Sequence, residues 1–175
     1  MRESQQKKNE YVKLTDAQIL ERYAKLADLL NEVLSGMGNR QFDLRLNADS
    51  WSIRQIVHHN IDSDFLVQNI ILAALGNSGC QYDQSWYPTD NSWVETLVYA
   101  KRPLEPSLEL FKISHTGILS LIEFIPDALE RNAQVRIENK PEWQNVIVRN
   151  LLLSRLYHTD HHLRQIEEIR QTHNL

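Results

Sequence analysis

Apolar residues recur at helical period over most of this chain. Ile19, Tyr23, Leu26, Leu30, Val33 and Met37 advance in steps of three or four, which lines them along one face of a helix. Thr15 and Gln18 precede them at capping-box spacing, and Gly36-Met-Gly follows, so a first helix is predicted over about 15–36. Ser52 and Gln55 repeat that spacing, with Trp51 and Ile56 placed as a hydrophobic staple. This second helix is expected to run to about Leu75 and to stop before Gly76-Asn-Ser-Gly79. Leu108, Phe111, His115, Ile118, Ile122 and Ile125 alternate steps of three and four ahead of Pro126, which predicts a third helix over about 105–125. A fourth is expected from near Glu142 to about Gln171.

The segments between are less regular. Residues 1–13 read as a polar tail ahead of one domain over 14–175. In the connection 38–50, Phe42, Leu44 and Leu46 alternate, the pattern of a short extended piece. Residues 77–104 are long, aromatic and weakly periodic, with Tyr82, Trp86 and Trp93 and one short helix expected near 91–101. A connection of that length is either a lid over a site or a cover that packs its tryptophans on the core. Residues 127–141 read as irregular, with a short hairpin around Val135 and Ile137. Four helices without a convincing sheet predict an all-α four-helix bundle.

Composition narrows the function classes. The 175 residues suit one domain with a substantial core, and apolar content of 42% and charged content of 24% are ordinary for a globular protein. The net charge of -4 gives no basic surplus for nucleic acid, and no charge block suits an anionic membrane. The longest apolar runs, such as Leu151-Leu-Leu, are far too short to span a bilayer. The polar start has no apolar signal region, so a cytoplasmic location is expected. The single cysteine, Cys80, excludes an internal disulfide and a cysteine-based zinc cluster.

The candidate chemistry lies in histidines. Five of the seven fall in two clusters: His58-His59 on the second helix, and His158, His161 and His162 on the fourth. At about 100° per residue, His158 and His162 lie about 40° apart on a stripe with Leu151 and Ile169, and His161 about 80° from their bisector. His59 shares a face with Leu66, Ile70 and Ala73, while His58 is turned away towards Phe65 and Asn69. The phase selects His59, His158 and His162 as three inward imidazoles and makes His58 and His161 supporting or surface residues. Ser63 and Ser154, each one turn away, leave space beside the rings. Three unpaired imidazoles facing one core are costly to bury without a partner, and a metal ion supplies one. Three nitrogens leave open coordination positions, as catalytic sites do. His115, alone on its seam, reads first as a hydrogen-bonded core residue and otherwise as a fourth ligand.

Trp-Ser-x-x-Gln-x-x-His-His-x-x-Asp-Ser over Trp51 to Ser63, with His-x-x-x-His-x-x-Gln-Ile over His158 to Ile166, resembles the DinB/YfiT superfamily. The likeness is closest to the YfiT branch, which carries a stretch similar to Tyr82-Asp83-Gln-Ser-Trp86. The resemblance implies an up-down-down-up bundle with a long crossover between helices two and three. It implies one divalent metal ion, zinc or nickel, on His59, His158 and His162. It implies a homodimer and either a thiol S-transferase using a low-molecular-weight thiol or a metal-dependent hydrolase. One departure is Asp64, which stands where that branch has a further histidine, on what phase reads as the outer side of the second helix.

These readings give one leading function, a metal-dependent enzyme acting on a small-molecule substrate through a bound water or thiol. Cys80 is poorly placed as nucleophile, so a thiol would come from outside. Asp62 would either orient an imidazole or face solvent, and Arg155 would either meet a substrate carboxylate or lie on the bundle surface. The alternative is a non-catalytic interaction or stress protein in which a metal only staples helices, or none binds. Leu152, Leu156 and Leu163 form a second apolar stripe, open as a core contact or a dimer face. Nucleic acid is not an expected partner.

Overall fold

A computed structural model describes residues 11–88 and 92–175. Four long helices make the body: α1 (Asp16–Leu34), α2 (Ile53–Gly76), α3 (Glu105–Phe124) and α4 (Val148–Thr172). Both predicted capping boxes form. The Thr15 hydroxyl accepts from the Gln18 amide while the Gln18 side chain accepts from the Thr15 amide, and Ser52 and Gln55 do the same for α2. Each box satisfies two helix-end donors. Glu105 opens α3 with Pro106 in its first turn, where a missing N–H costs nothing.

Contacts fix the directions. His58 of α2 meets Ser107 of α3, and Gln68 meets His115 further along, so these two run parallel. Arg149 pairs with Asp16 near the start of α1 and Arg170 reaches Val33 near its end, so α1 and α4 are also parallel. Asn60 meets Thr159 and Ser63 meets Arg155, so α2 and α4 are antiparallel. The order is up-down-down-up, with α1 and α2 on opposite corners. Parallel neighbours in sequence demand a connection that travels back along the bundle, which is the role of residues 77–104.

That connection builds part of a sheet. Strand β1 (Cys80–Gln84) lies parallel to β2 (Asn132–Ile137), which pairs antiparallel with β3 (Lys140–Ile147), in the order β1-β2-β3. The expected hairpin is present, turning at Asn139 in the left-handed region (φ 60°), where asparagine is tolerated. Two expectations are corrected. The fourth helix starts at Val148 rather than near Glu142, because 140–147 are taken by strand pairing. Residues 41–43 form a 3-10 turn rather than an extended piece, followed by one bridge between Arg45 and Ser52. The short helix expected near 91–101 is one turn at Ser92–Thr96 and a 3-10 turn at Tyr99–Lys101. Of the polar tail over 1–13, residues 1–10 lie outside the described residues, while the Tyr11 ring stands edge-on to Tyr157 at 6.1 Å.

The start of α4 has no side-chain cap. Its first amides donate instead to chain carbonyls, Val148 to Arg131 and Arg149 to Leu129, at 2.9 and 3.0 Å. Core residues come from all four helices, among them Ile19, Tyr23, Ile71, Phe111 and Leu152. Leu152 and Leu156 are fully buried and Leu163 packs against the core, so the second stripe of α4 is a core contact. No described helix is long and apolar enough to cross a membrane.

The phase of α2 can be tested at adjacent positions. Ile71 is fully buried and Leu72 is 52% exposed. Ile71→Ala is expected to cost about 2–5 kcal/mol in urea unfolding, and Leu72→Ala to stay within about 0.5 kcal/mol. Equal losses at the two sites would contradict this packing.

Candidate metal centre

His59 stands two turns into α2, and His158 and His162 stand one turn apart on α4. Because the helices are antiparallel neighbours, the three rings meet across their groove. Ring centres are 5.4 Å apart for His59 and His158, 5.1 Å for His59 and His162, and 4.5 Å for His158 and His162. One nitrogen from each lies within 4.8 Å of the other two, and among the described residues no cysteine or carboxylate joins the group. Trp51, at the mouth of α2, lays its ring 4.8 Å from His59.

The electrostatics favour neutral rings. Burial, then the charge of Arg155, lowers His59 to about 4. Burial lowers His162 to about 3, against a raising bond from Gln165, and burial followed by Arg155 lowers His158 as well. With Gln165 Oε1 as acceptor at 2.7 Å, the proton of His162 lies on Nδ1 and its Nε2 carries a lone pair. That Nε2 faces Nε2 of His158 at 3.3 Å. Two nitrogens on one tetrahedral zinc, each at about 2.05 Å, would stand about 3.3 Å apart. Nδ1 of His158 is buried without a hydrogen bond. The donor set therefore fits a single cation of the kind imidazole binds.

The neighbours differ from expectation in several respects. His58 is fully buried, not a surface residue: Nδ1 meets Ser107 Oγ at 3.1 Å and Nε2 the Arg102 carbonyl at 3.2 Å, which ties the crossover to α2. The phase argument missed this because α2 packs on both α3 and α4, so more than one face is covered. His161 is exposed, with its ring 5.2 Å from that of His162. Asp62 neither orients an imidazole nor faces solvent freely; it pairs with Arg102 at 2.8 Å. Gln165 takes the orienting role, and its place three residues after His162 was the available signal. The histidines also lie off the centre of the α4 core face, which runs through Leu152, Leu156 and Ile166. His59 and His158 are consequently only half-buried.

His115 and Asp64 belong to a separate polar cluster. His115 Nδ1 meets the Phe111 carbonyl at 2.6 Å, and Nε2 lies 3.6 Å from Asp64. Asp64 is 1% exposed, not on the outer side of α2. Gln68 donates to it at 2.6 Å and to Tyr23 at 3.1 Å. Cys80 lies in β1, beyond the far end of α2. At 1.5 Å per residue, His59 and Gly76 are about 25 Å apart, so the thiol is remote from the histidines. In the crossover, Tyr87 and Trp93 stand 4.6 Å apart and Trp86 packs on Trp93 at 6.0 Å. Tyr87 feels the charges of Arg155 and Asp62, which places this aromatic group on the histidine side of the bundle.

Comparison with known proteins agrees with this architecture. The profile of the DinB superfamily matches residues 14–166. A protein of Oceanobacillus iheyensis called a "putative metal-dependent hydrolase" is 25% identical over 148 residues, 82% of this chain and 79% of that protein. The structure of YfiT from Bacillus subtilis, described as "a probable metal-dependent hydrolase with an unusual four-helix bundle topology", superposes with a TM-score of 0.76 at 19% identity. It covers 92% of this chain and 90% of its own. A DinB-like protein of Bacillus subtilis, YjoA, gives a TM-score of 0.55 at 17% identity, with 89% and 92% covered.

The Asp64 cluster carries a pH signature. Burial raises Asp64 from 3.8 to about 7, so the folded state holds a proton that the unfolded chain releases between those values. The wild type therefore loses stability at this site as pH rises through that window. Asp64→Asn removes the loss. Urea unfolding from pH 4.5 to 7 should show the variant gaining on the wild type by about 1.4 kcal/mol per pH unit. A difference that stays flat with pH would show that Asp64 ionises normally in the fold.

Proposed function

The chain belongs to the DinB superfamily, and we propose that it is a metal-dependent enzyme whose single divalent ion, zinc or nickel, is held by His59, His158 and His162. The observation that carries this reading is the convergence of three neutral imidazoles with no fourth protein donor among the described residues. A purely structural metal calls for a closed coordination shell; three protein donors would leave a position for a small ligand. Bound there, a divalent ion lowers the pKa of a water or thiol and polarises an electrophilic group.

The protein's own residues prepare that chemistry. Burial keeps the three rings unprotonated at neutral pH, so their lone pairs are available without proton loss. Gln165 fixes the tautomer of His162, and a partner on the distal nitrogen also holds the ring's orientation. Trp51 packs its ring against that of His59. The half-buried position of His59 and His158 leaves an approach from solvent.

Two reactions share this apparatus. The name of the Oceanobacillus relative favours hydrolysis, with water as the nucleophile. The sequence resemblance to the YfiT branch favours S-transfer from a low-molecular-weight thiol. Cys80 is too distant to serve, so the thiol in that case is a free cosubstrate.

Elemental analysis of protein purified without a histidine tag or chelator tests the metal. Close to one equivalent of zinc or nickel is expected in the wild type, and a loss of at least tenfold in His59→Ala/His162→Ala with its circular dichroism unchanged. A wild type that takes up neither ion when they are added would remove the enzymatic reading.

A further inference from the structure

The histidine geometry leaves Arg155 unexplained. It lies on α4 just under one turn before His158 and opposite Ser63, which is one turn after His59 on α2. Its Nη1 donates to Ser63 Oγ and its Nε to Ser154 Oγ, both at 3.4 Å, the long end of hydrogen bonding. Among the described residues no carboxylate forms an ion pair with it. Asp62 is engaged by Arg102 at 2.8 Å. Asp64 takes Gln68 on one oxygen and has no hydrogen bond on the other; its charge reaches Arg155 only through space. The guanidinium is nevertheless drawn into the bundle, where burial opposes its charge.

Asp64, Tyr23 and Tyr87 favour its charge only through space, and among the described residues no hydrogen bond to a carboxylate holds it there. Three imidazoles gain nothing from a nearby cation, which lowers His59 and His158 further. A surface arginine would extend its head into water, as long basic side chains do. An arginine held by two weak serine contacts beside a donor set keeps its planar fork available. That fork matches a carboxylate in bidentate fashion. The surroundings suit one negative charge rather than two, since a single guanidinium stands there and Asp62 is already paired with Arg102.

We propose that Arg155 is an anion subsite beside the three histidines, and that the molecule bound there carries a carboxylate close to the group presented to the metal. The assignment rests on the metal-enzyme reading above for its chemical meaning, but carboxylate binding itself can be measured with or without an ion. Arg155 would be a binding and specificity residue, separate from the three donors.

The test compares mercaptoacetate with 2-mercaptoethanol, which present the same thiol with and without a carboxylate. On cobalt-loaded protein, sulfur-to-cobalt absorption reports binding. The wild type is expected to bind mercaptoacetate at least tenfold more tightly. Arg155→Gln should bring the two within about twofold while leaving cobalt content and 2-mercaptoethanol affinity unchanged, with Arg155→Lys between. On metal-free protein, the Arg155 Nε resonance in nitrogen NMR should shift with mercaptoacetate and not with 2-mercaptoethanol. Equal affinities in cobalt-loaded wild type would overturn the subsite without any variant, and so would a preference that survives Arg155→Gln. If cobalt does not bind, or neither thiol perturbs its spectrum, the metal-enzyme reading fails. The metal-free titration then decides the subsite: a selective shift upholds it and no shift overturns it.

Discussion

The parallel run of α2 and α3 is the constraint from which the rest of this fold follows. Two consecutive helices that point the same way cannot be joined by a short turn. The chain must return along the bundle, and residues 77–104 make that journey. On the way they lay down β1, whose parallel partner β2 arrives only after α3. The return leg ends where Arg102 offers its carbonyl to His58 and its guanidinium to Asp62. The α2 segment carrying His58 and His59 is thus clamped by the crossover on one side and open to α4 on the other. The antiparallel contact of α2 with α4 then brings the second pair of histidines to His59.

Beside this lies a polar layer inside the core. Tyr23, Asp64, Gln68 and His115 come from three helices, and two of their buried atoms lack hydrogen bonds, Asp64 Oδ1 and His115 Nε2. Burial pushes the carboxyl up and the imidazole of His115 down to about 4. Both shifts favour the neutral forms, so near pH 6 the pair holds its one proton on the carboxyl, whereas an unfolded chain holds it on the imidazole. A well-packed apolar layer would be no less stable. What polar partners contribute is register: Gln68 can satisfy both Tyr23 and Asp64 in one arrangement of α1 against α2.

Local signals made much of this legible in the sequence. Thr15 with Gln18 and Ser52 with Gln55 mark helix starts because capping is decided within four residues. The spacing of His158 and His162, with His59 on the core side of another helix, singled out the rings that the fold brings together. Long-range pairing was less visible. Nothing near Cys80 announces a strand, since its partner Ala133 lies across a whole helix. Residues 140–147 lead directly into a strong helical pattern, which hid the strand. His58 was misjudged because one buried face was assumed where two exist. Arg102 acts through tertiary contacts that no spacing encodes, whereas Gln165 bonds His162 from three residues along the same helix, a local signal that went unread.

The uncapped start of α4 has a consequence for how such a protein can change over time. Its first amides are fixed to the carbonyls of Leu129 and Arg131, so the angular position of every later residue on that helix is referenced to the sheet. A residue gained or lost at the hairpin tip around Asn139 leaves that reference intact. The same change between Ile147 and His158 would turn both donors by about 100° and carry them out of the groove. Length variation should therefore collect at the tip of the hairpin and be absent from the strand-to-helix junction, which makes that junction the ruler against which the site is set.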